Sequence, residues 1–206
     1  MTGQKSTATI DFKNIHYWIF DLDGTLTVAA HDFDKIRSTL GLPRNKPILE
    51  VLETYPEEEA QKIMGNLEKI EMEIARQARP QKDVYSLLKT LSEKQVTLGI
   101  LTRNNHKNTK ITLQKSGILD FFPTEHILDR NSCRHKPDPD GVLKLLQLWH
   151  AQPKKTVIVG DYKFDLIAGR KAGVHTIYLD IPGDRTWEEY ADLTVGSFAE
   201  LLELLS

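Results

Sequence analysis

The stretch Tyr17-Trp18-Ile19-Phe20-Asp21-Leu22-Asp23-Gly24-Thr25 constrains this chain more than any other. An apolar run leads into two aspartates separated by one residue, and a glycine and a threonine follow at once. Apolar residues that run into a carboxylate-rich turn predict a buried strand ending at a site. In an open α/β sheet, ligands gather at the carboxyl ends of the strands. Asp21 is therefore expected at such an end. Two carboxylates this close repel each other unless a proton or a cation relieves them. A hard divalent cation such as Mg²⁺, which takes oxygen ligands, supplies that relief. Asp, Gly and Thr are also ordinary turn residues, so partners elsewhere in the chain must decide.

Residues 1–14 read as a loose N-terminal tail, and the first strand is expected over His16–Asp21. From Val28 to Pro80 no strand is expected. Phe33, Ile36, Arg37 and Leu40 are spaced for a short helix that Gly41 can end. Pro47 precedes a second short helix with Ile48, Leu49, Val51 and Leu52. Pro56 opens a longer one, with Glu57, Glu58 and Glu59 in the first turn, where the helix dipole favours anions. Ile63, Leu67, Ile70 and Ile74 fall on one face of it, and Pro80 is its expected stop. This block predicts a small all-helical cap over residues 28–80. It interrupts a core made of residues 15–27 and 81–206.

From Asp83 onward helices and strands alternate. Val96–Thr102, His126–Leu128, Thr156–Gly160 and His175–Leu179 read as further strands, and Ser197–Leu205 as a closing helix. Asn104 or Asn105 can cap the helix after the second strand. The rhythm predicts an α/β fold with about five parallel strands and helices on both faces.

The bulk properties narrow the partners. The chain has 206 residues and a formal net charge of −2, with 40% apolar and 27% charged residues. That balance suggests no polyanion partner, so no nucleic acid. No apolar run is long enough for a bilayer, so no membrane. Cys133 is the single cysteine, which allows no intrachain disulfide and fits a reducing compartment. Met1 to Asp11 lack the apolar segment of a signal peptide, and cytoplasm is the default location.

Parallel strands put their carboxyl ends on one edge of the sheet. That edge collects Asp21 and Asp23, then Thr102 with Arg103 and Asn104, then Lys136 in Lys-Pro-Asp-Pro, then Asp161 with Asp165 four residues on. Carboxylates suit Mg²⁺. A lysine, a hydroxyl and backbone amides at Gly24 and Thr25 suit a phosphoryl group. The combination fits phosphoryl transfer, where positioning and charge neutralisation supply most of the catalysis.

Four segments together resemble the motifs of the haloacid dehalogenase superfamily, within it the phosphoglycolate-phosphatase-like branch with a helical cap. They are Ile19-Phe20-Asp21-Leu22-Asp23-Gly24-Thr25, Leu98-Gly99-Ile100-Leu101-Thr102, Lys136 before Pro-Asp-Pro, and Gly160-Asp161 running on to Asp165. The resemblance implies a Rossmann-like core and a Mg²⁺-dependent phosphatase acting on a small phosphorylated metabolite. It implies that Asp21 is the nucleophile and Asp23 the acid and base. It implies that Thr102 and Lys136 hold the phosphoryl oxygens. The metal set would be Asp21, Asp161, the backbone carbonyl of Asp23, and Asp165 directly or through water. Asp165 also reads as a helix N-cap. Asp23 argues against a dehalogenase, because halide leaves without a proton. A sugar phosphomutase, a phosphonate hydrolase and an idle binding protein of the same fold stand as alternatives. Substrate selection is expected from the cap and its hinge, through His31, Asp32, Arg37, Arg44 and Lys46, with Arg103 opposite.

Overall fold

The computed structural model describes residues 10–44 and 46–206. Among these, six parallel strands form one sheet: β1 (Tyr17–Phe20), β2 (Thr97–Leu101), β3 (Ile127–Leu128), β4 (Thr156–Gly160), β5 (His175–Leu179) and β6 (Leu193–Val195). Their spatial order is β3-β2-β1-β4-β5-β6. The strand that carries the two aspartates is therefore central. It pairs on one side with β2, Phe20 opposite Ile100, and on the other with β4, Phe20 opposite Val159. The chain winds outward one way from β1 and then the other way from β4. The crevice between their carboxyl ends is the switch point of a doubly wound sheet, where ligands bind.

Alternation along β1 divides the core. Trp18 and Phe20 face one side with α4 (Val84–Glu93) and α8 (Phe198–Leu204), whose Leu87, Leu88, Phe198 and Leu201 are buried there. Ile19 faces the other side with α6 (Asp140–Leu148) and α7 (Lys163–Ala172), through Val142, Leu145 and Ala168. Successive side chains of a strand point to opposite faces, so a wholly apolar strand needs helices on both. A helix α5 (His106–Lys115) follows β2, and the Asn105 side chain accepts the Asn108 N–H at 2.8 Å as its cap.

The block after β1 is helical, with α1 (Phe33–Leu40), α2 (Ile48–Leu52) and α3 (Glu57–Arg76). It has its own apolar cluster of Ile36, Leu42, Ile48, Val51, Leu52 and Leu67. Gly41 closes α1 at φ 68°, a left-handed turn that costs glycine little. Asp32 caps the same helix, accepting the Lys35 N–H at 3.0 Å. The long helix stops at Arg76, short of Pro80. Pro80 instead pairs with Thr27 in an antiparallel bridge. Val28 N–H donates to the Arg79 carbonyl at 3.0 Å, and Gln81 N–H to the Leu26 carbonyl at 2.9 Å. The two crossings between the helical block and the sheet are thus paired with each other.

Three expectations are adjusted. Residues 1–9 of the expected tail lie outside the described residues. Of the rest, Ile10 is buried, and Phe12 stacks on Trp18 at 6.0 Å. Apolar side chains there cover the open end of the core. The third strand excludes His126, which belongs to a 3₁₀ turn. The sixth strand, three residues with Thr194 at its centre, is too short to show a period. It pairs Ile177 with Leu193 at the sheet edge. No helix among the described residues is long and apolar enough to cross a membrane.

Candidate active site

The backbone sets the site. Asp21 follows β1, its N–H donating to the Val159 carbonyl at 2.9 Å. Thr102 follows β2, its backbone N–H donating to the Leu128 carbonyl at 3.0 Å. Asp161 follows β4, and Asp165 lies in the first turn of α7. Oxygens of Asp21, Asp161 and Asp165 all lie within 4.8 Å of one another. Lys136 reaches into this group from the loop after β3. Its Nζ donates to Asp21 Oδ1 and Asp165 Oδ1, each at 2.5 Å, and to the Leu101 carbonyl at 2.7 Å. Lys136 is 3% exposed, so it is fully committed to the site.

The charges do not balance. One ammonium meets three carboxylates. Burial works against the lysine's charge, but Asp165 and Asp21 outweigh it and hold its pKa above the usual value. Burial, then the Asp21 charge, then the Asp165 charge push Asp161 well above the carboxylate range. Burial also raises Asp165, to about 6, against the pull of Lys136. The surplus negative charge and all-oxygen donor set fit a hard divalent cation.

Two glycines make room. Gly24 has φ +87°, and a Cβ there would lie 2.1 Å from Asp161 Oδ2. A Cβ on Gly160 would lie 2.3 Å from the Asp165 Cβ. Thr25 Oγ1 donates to Asp161 Oδ1 at 3.2 Å.

Asp23 is held separately. Asn104 Nδ2 donates to Asp23 Oδ2 at 2.6 Å, and His31 Nδ1 stands 3.8 Å from Oδ1. Burial is the largest influence on Asp23 and raises its pKa to about 6. Asp21 also raises it, while the His31 charge and the Asn104 hydrogen bond pull it down.

The structure brings together Asp21, Asp23, His31, Arg37, Thr102, Arg103, Asn104, Lys136, Asp161 and Asp165, all bordering one cavity of about 520 Å³. Some expectations change. Gly24 was expected to offer its amide to a phosphoryl group, but that N–H donates to the Thr27 carbonyl at 2.9 Å. The turn closes on itself there, and Gly24 serves by lacking a side chain. The amides of Leu22, Asp23 and Thr25 find no acceptor among the described residues. Asp165 is not the N-cap. Tyr162 takes that place, and the Asp165 carboxylate accepts the Tyr162 N–H at 3.3 Å. Asp165 thus starts its helix and faces Lys136 at the same time. Arg37 is held by Asp34 at 2.8 Å.

Arg103 is engaged as well. Its guanidinium binds both Glu50 oxygens, at 3.0 and 2.7 Å, and donates to the Lys136 carbonyl at 2.9 Å. Its face lies 5.0 Å over the Phe164 ring. The cause is charge: Glu50 on α2 faces the core here. Although burial raises Glu50, Arg103 holds its pKa below the usual value. A second clamp joins Arg130 to both Glu71 oxygens, each at 3.0 Å, and Asn108 Nδ2 donates to Glu71 at 3.2 Å. Glu50, Glu71 and Arg130 carry no motif. In the sequence they read as solvated helix and loop charges.

A doubly wound sheet with carboxylates and one buried lysine at its switch point, beside a helical block, is the framework of a hydrolase with a Rossmann-like core. The chain belongs to the haloacid dehalogenase-like hydrolase family, whose model matches residues 27–179. An uncharacterized hydrolase of Saccharomyces cerevisiae, YOR131C, is 27% identical over 205 residues, covering 94% of this chain and 92% of that protein. Pyrophosphatase PpaX of Bacillus mycoides is 29% identical over 127 residues, 60% of this chain and 58% of that protein. A solved HAD family hydrolase from Deinococcus radiodurans, with bound phosphate and sodium, has a TM-score of 0.70 at 19% identity, over 93% of this chain and 95% of that one. At that identity the likeness concerns the fold.

Proposed function

We propose that this hydrolase is a Mg²⁺-dependent phosphatase that cleaves a small phosphorylated metabolite through an aspartyl-phosphate. The observation that carries the reading is Lys136 bound between Asp21 and Asp165, with Asp161 completing an acidic group beside a separately held Asp23. The pyrophosphatase name of the Bacillus relative and the phosphate in the Deinococcus structure agree with hydrolysis at a phosphoryl group. Residues 28–80 act as a cap over a core of residues 15–27 and 81–206.

Lys136 occupies Asp21 Oδ1, which leaves Oδ2 to attack phosphorus. The new Oδ2–P bond forms as the bond from phosphorus to the leaving oxygen breaks. Asp23 donates its proton to that oxygen and becomes a carboxylate. It then takes a proton from water, whose oxygen attacks phosphorus as the Oδ2–P bond breaks, which releases inorganic phosphate and frees the Asp21 carboxylate. Splitting one hydrolysis into two displacements lowers each barrier. Thr102 Oγ1 accepts the Asn104 N–H at 3.2 Å, which leaves its own proton for a phosphoryl oxygen. Asp21, Asp161, Asp165 and the Asp23 carbonyl would hold the cation, which when bound offsets the charge of the phosphoryl oxygens.

Release of phosphate from a panel of phosphorylated metabolites tests the activity. Excess chelator is expected to abolish turnover, Mg²⁺ to restore it, and Ca²⁺ to inhibit. Ca²⁺ accepts more ligands at longer distances, so it misaims a carboxylate that must also be the nucleophile. Full activity in chelator would remove the metal from the reading.

Asp23 must be protonated to donate, so kcat/KM falls as pH rises through its pKa, about 6. Asn104→Ala removes a hydrogen bond that favours the carboxylate, which raises that pKa. The alkaline limb of kcat/KM is therefore expected to move to higher pH. A limb that stayed put, or moved to lower pH, would contradict the role given to Asp23.

A further inference from the structure

We infer that the substrate is a monophosphate ester of an uncharged, largely apolar alcohol, an inference that rests on the phosphatase reading above. The cavity of about 520 Å³ has a polar floor and a different upper wall. Phe33, Ile36, Ile48, Leu49 and Leu67 border it from the helical block, and Phe164 from α7. A substrate bound at phosphorus must place its remaining atoms among these groups.

The core-side arginines around the same space are already paired. Arg103 holds Glu50 through both its oxygens, and Arg130 holds Glu71 the same way. Arg37 binds Asp34 and donates to the Lys46 carbonyl at 3.4 Å. Lys163 lies 4.6 Å from the centre of the Trp187 ring. Lys46 is exposed, so a charge there stays solvated and screened. Glu71 is buried and borders the cavity. Its charge and that of Arg130 offset each other, so neither is free for a second anion. A substrate carrying a carboxylate or a second phosphate away from the reacting centre would have to displace a paired carboxylate. An apolar tail displaces only water.

The test is a series of unbranched alkyl phosphates, methyl to pentyl, whose leaving alcohols have similar acidity. Initial rates are measured on the purified protein with Mg²⁺, next to phosphoglycolate and pyrophosphate. Each buried methylene is expected to raise kcat/KM about fourfold until the cavity is filled. Pentyl phosphate is expected to exceed both comparators, each of which carries a second anionic group, by about tenfold or more. Leu49→Lys, which places an unpaired cation on the wall, is expected to swing the ratio of phosphoglycolate to pentyl phosphate upward by about tenfold. Should that variant fail to fold, the wild-type series decides alone. Turnover with a flat alkyl series, or a preference for phosphoglycolate or pyrophosphate, overturns the substrate class and leaves the phosphatase reading standing. No turnover of any ester overturns both.

Discussion

Asp21→Asn is expected to lower kcat by on the order of 10³-fold or more while the protein stays folded, by analogy with other catalytic nucleophiles. The amide keeps the size of the carboxylate, so the end of β1 and its bond to Val159 are undisturbed. It loses nucleophilicity, because its oxygen carries no net charge, and it is a weaker metal ligand. It also removes one of three crowded acids, which relieves Asp161 of the Asp21 repulsion that helps raise its pKa. Stability should therefore hold or rise even as turnover vanishes. Stopped-flow phosphate release and a urea titration separate the two effects. Near-wild-type kcat would remove Asp21 from the nucleophile's place.

Lys136→Met should damage both activity and stability. The ammonium is the only cation in direct contact with Asp21 and Asp165 among the described residues. Removing one member of a buried ion pair leaves an uncompensated charge and costs roughly 3–5 kcal/mol. Loss of a group that steadies developing charge costs on the order of 10²–10³-fold in kcat. The stability loss has a direction in pH. Asp165 has a folded pKa of about 6, and Asp161 one well above the ordinary aspartate value of 3.8, with Lys136 lowering both. A carboxyl raised on folding favours the native state at low pH, and that contribution fades as pH rises through the folded value. Without Lys136 the acids rise further. In chelator, the deficit relative to wild type should then be large at pH 8 and small at pH 5. Equal deficits at both values would mean that the lysine's role is packing.

Five strands and their site edge are legible because each is short, largely apolar and followed by a polar residue. Buried parallel strands must look like that. The capping residues Asn105 and Gly41 were legible for the same local reason. What escaped was long-range pairing. Nothing near Glu50 or Glu71 announces that an arginine 53 or 59 residues away will meet it. Those pairs depend on how the helical block docks, and docking has no period. The amide of Gly24 turns inward because a turn's internal hydrogen bond to Thr27 is a matter of closure. Composition does not encode it. The sixth strand escaped because three residues cannot show an alternation.

The paired crossings at Thr27 and Pro80 have a consequence for descent with modification. The chain leaves the sheet and returns at one point, tied by the Val28 and Gln81 hydrogen bonds. From the sheet's side, everything between is one loop closed at its base. Lengthening a loop adds only a logarithmic entropy cost, about 0.6 kcal/mol per doubling. Insertions, deletions or wholesale exchange of α1 to α3 therefore leave the register of β1 against β2 and β4 almost untouched. Selection can rebuild the helical block without reopening the problem of how the sheet's carboxyl edge is assembled.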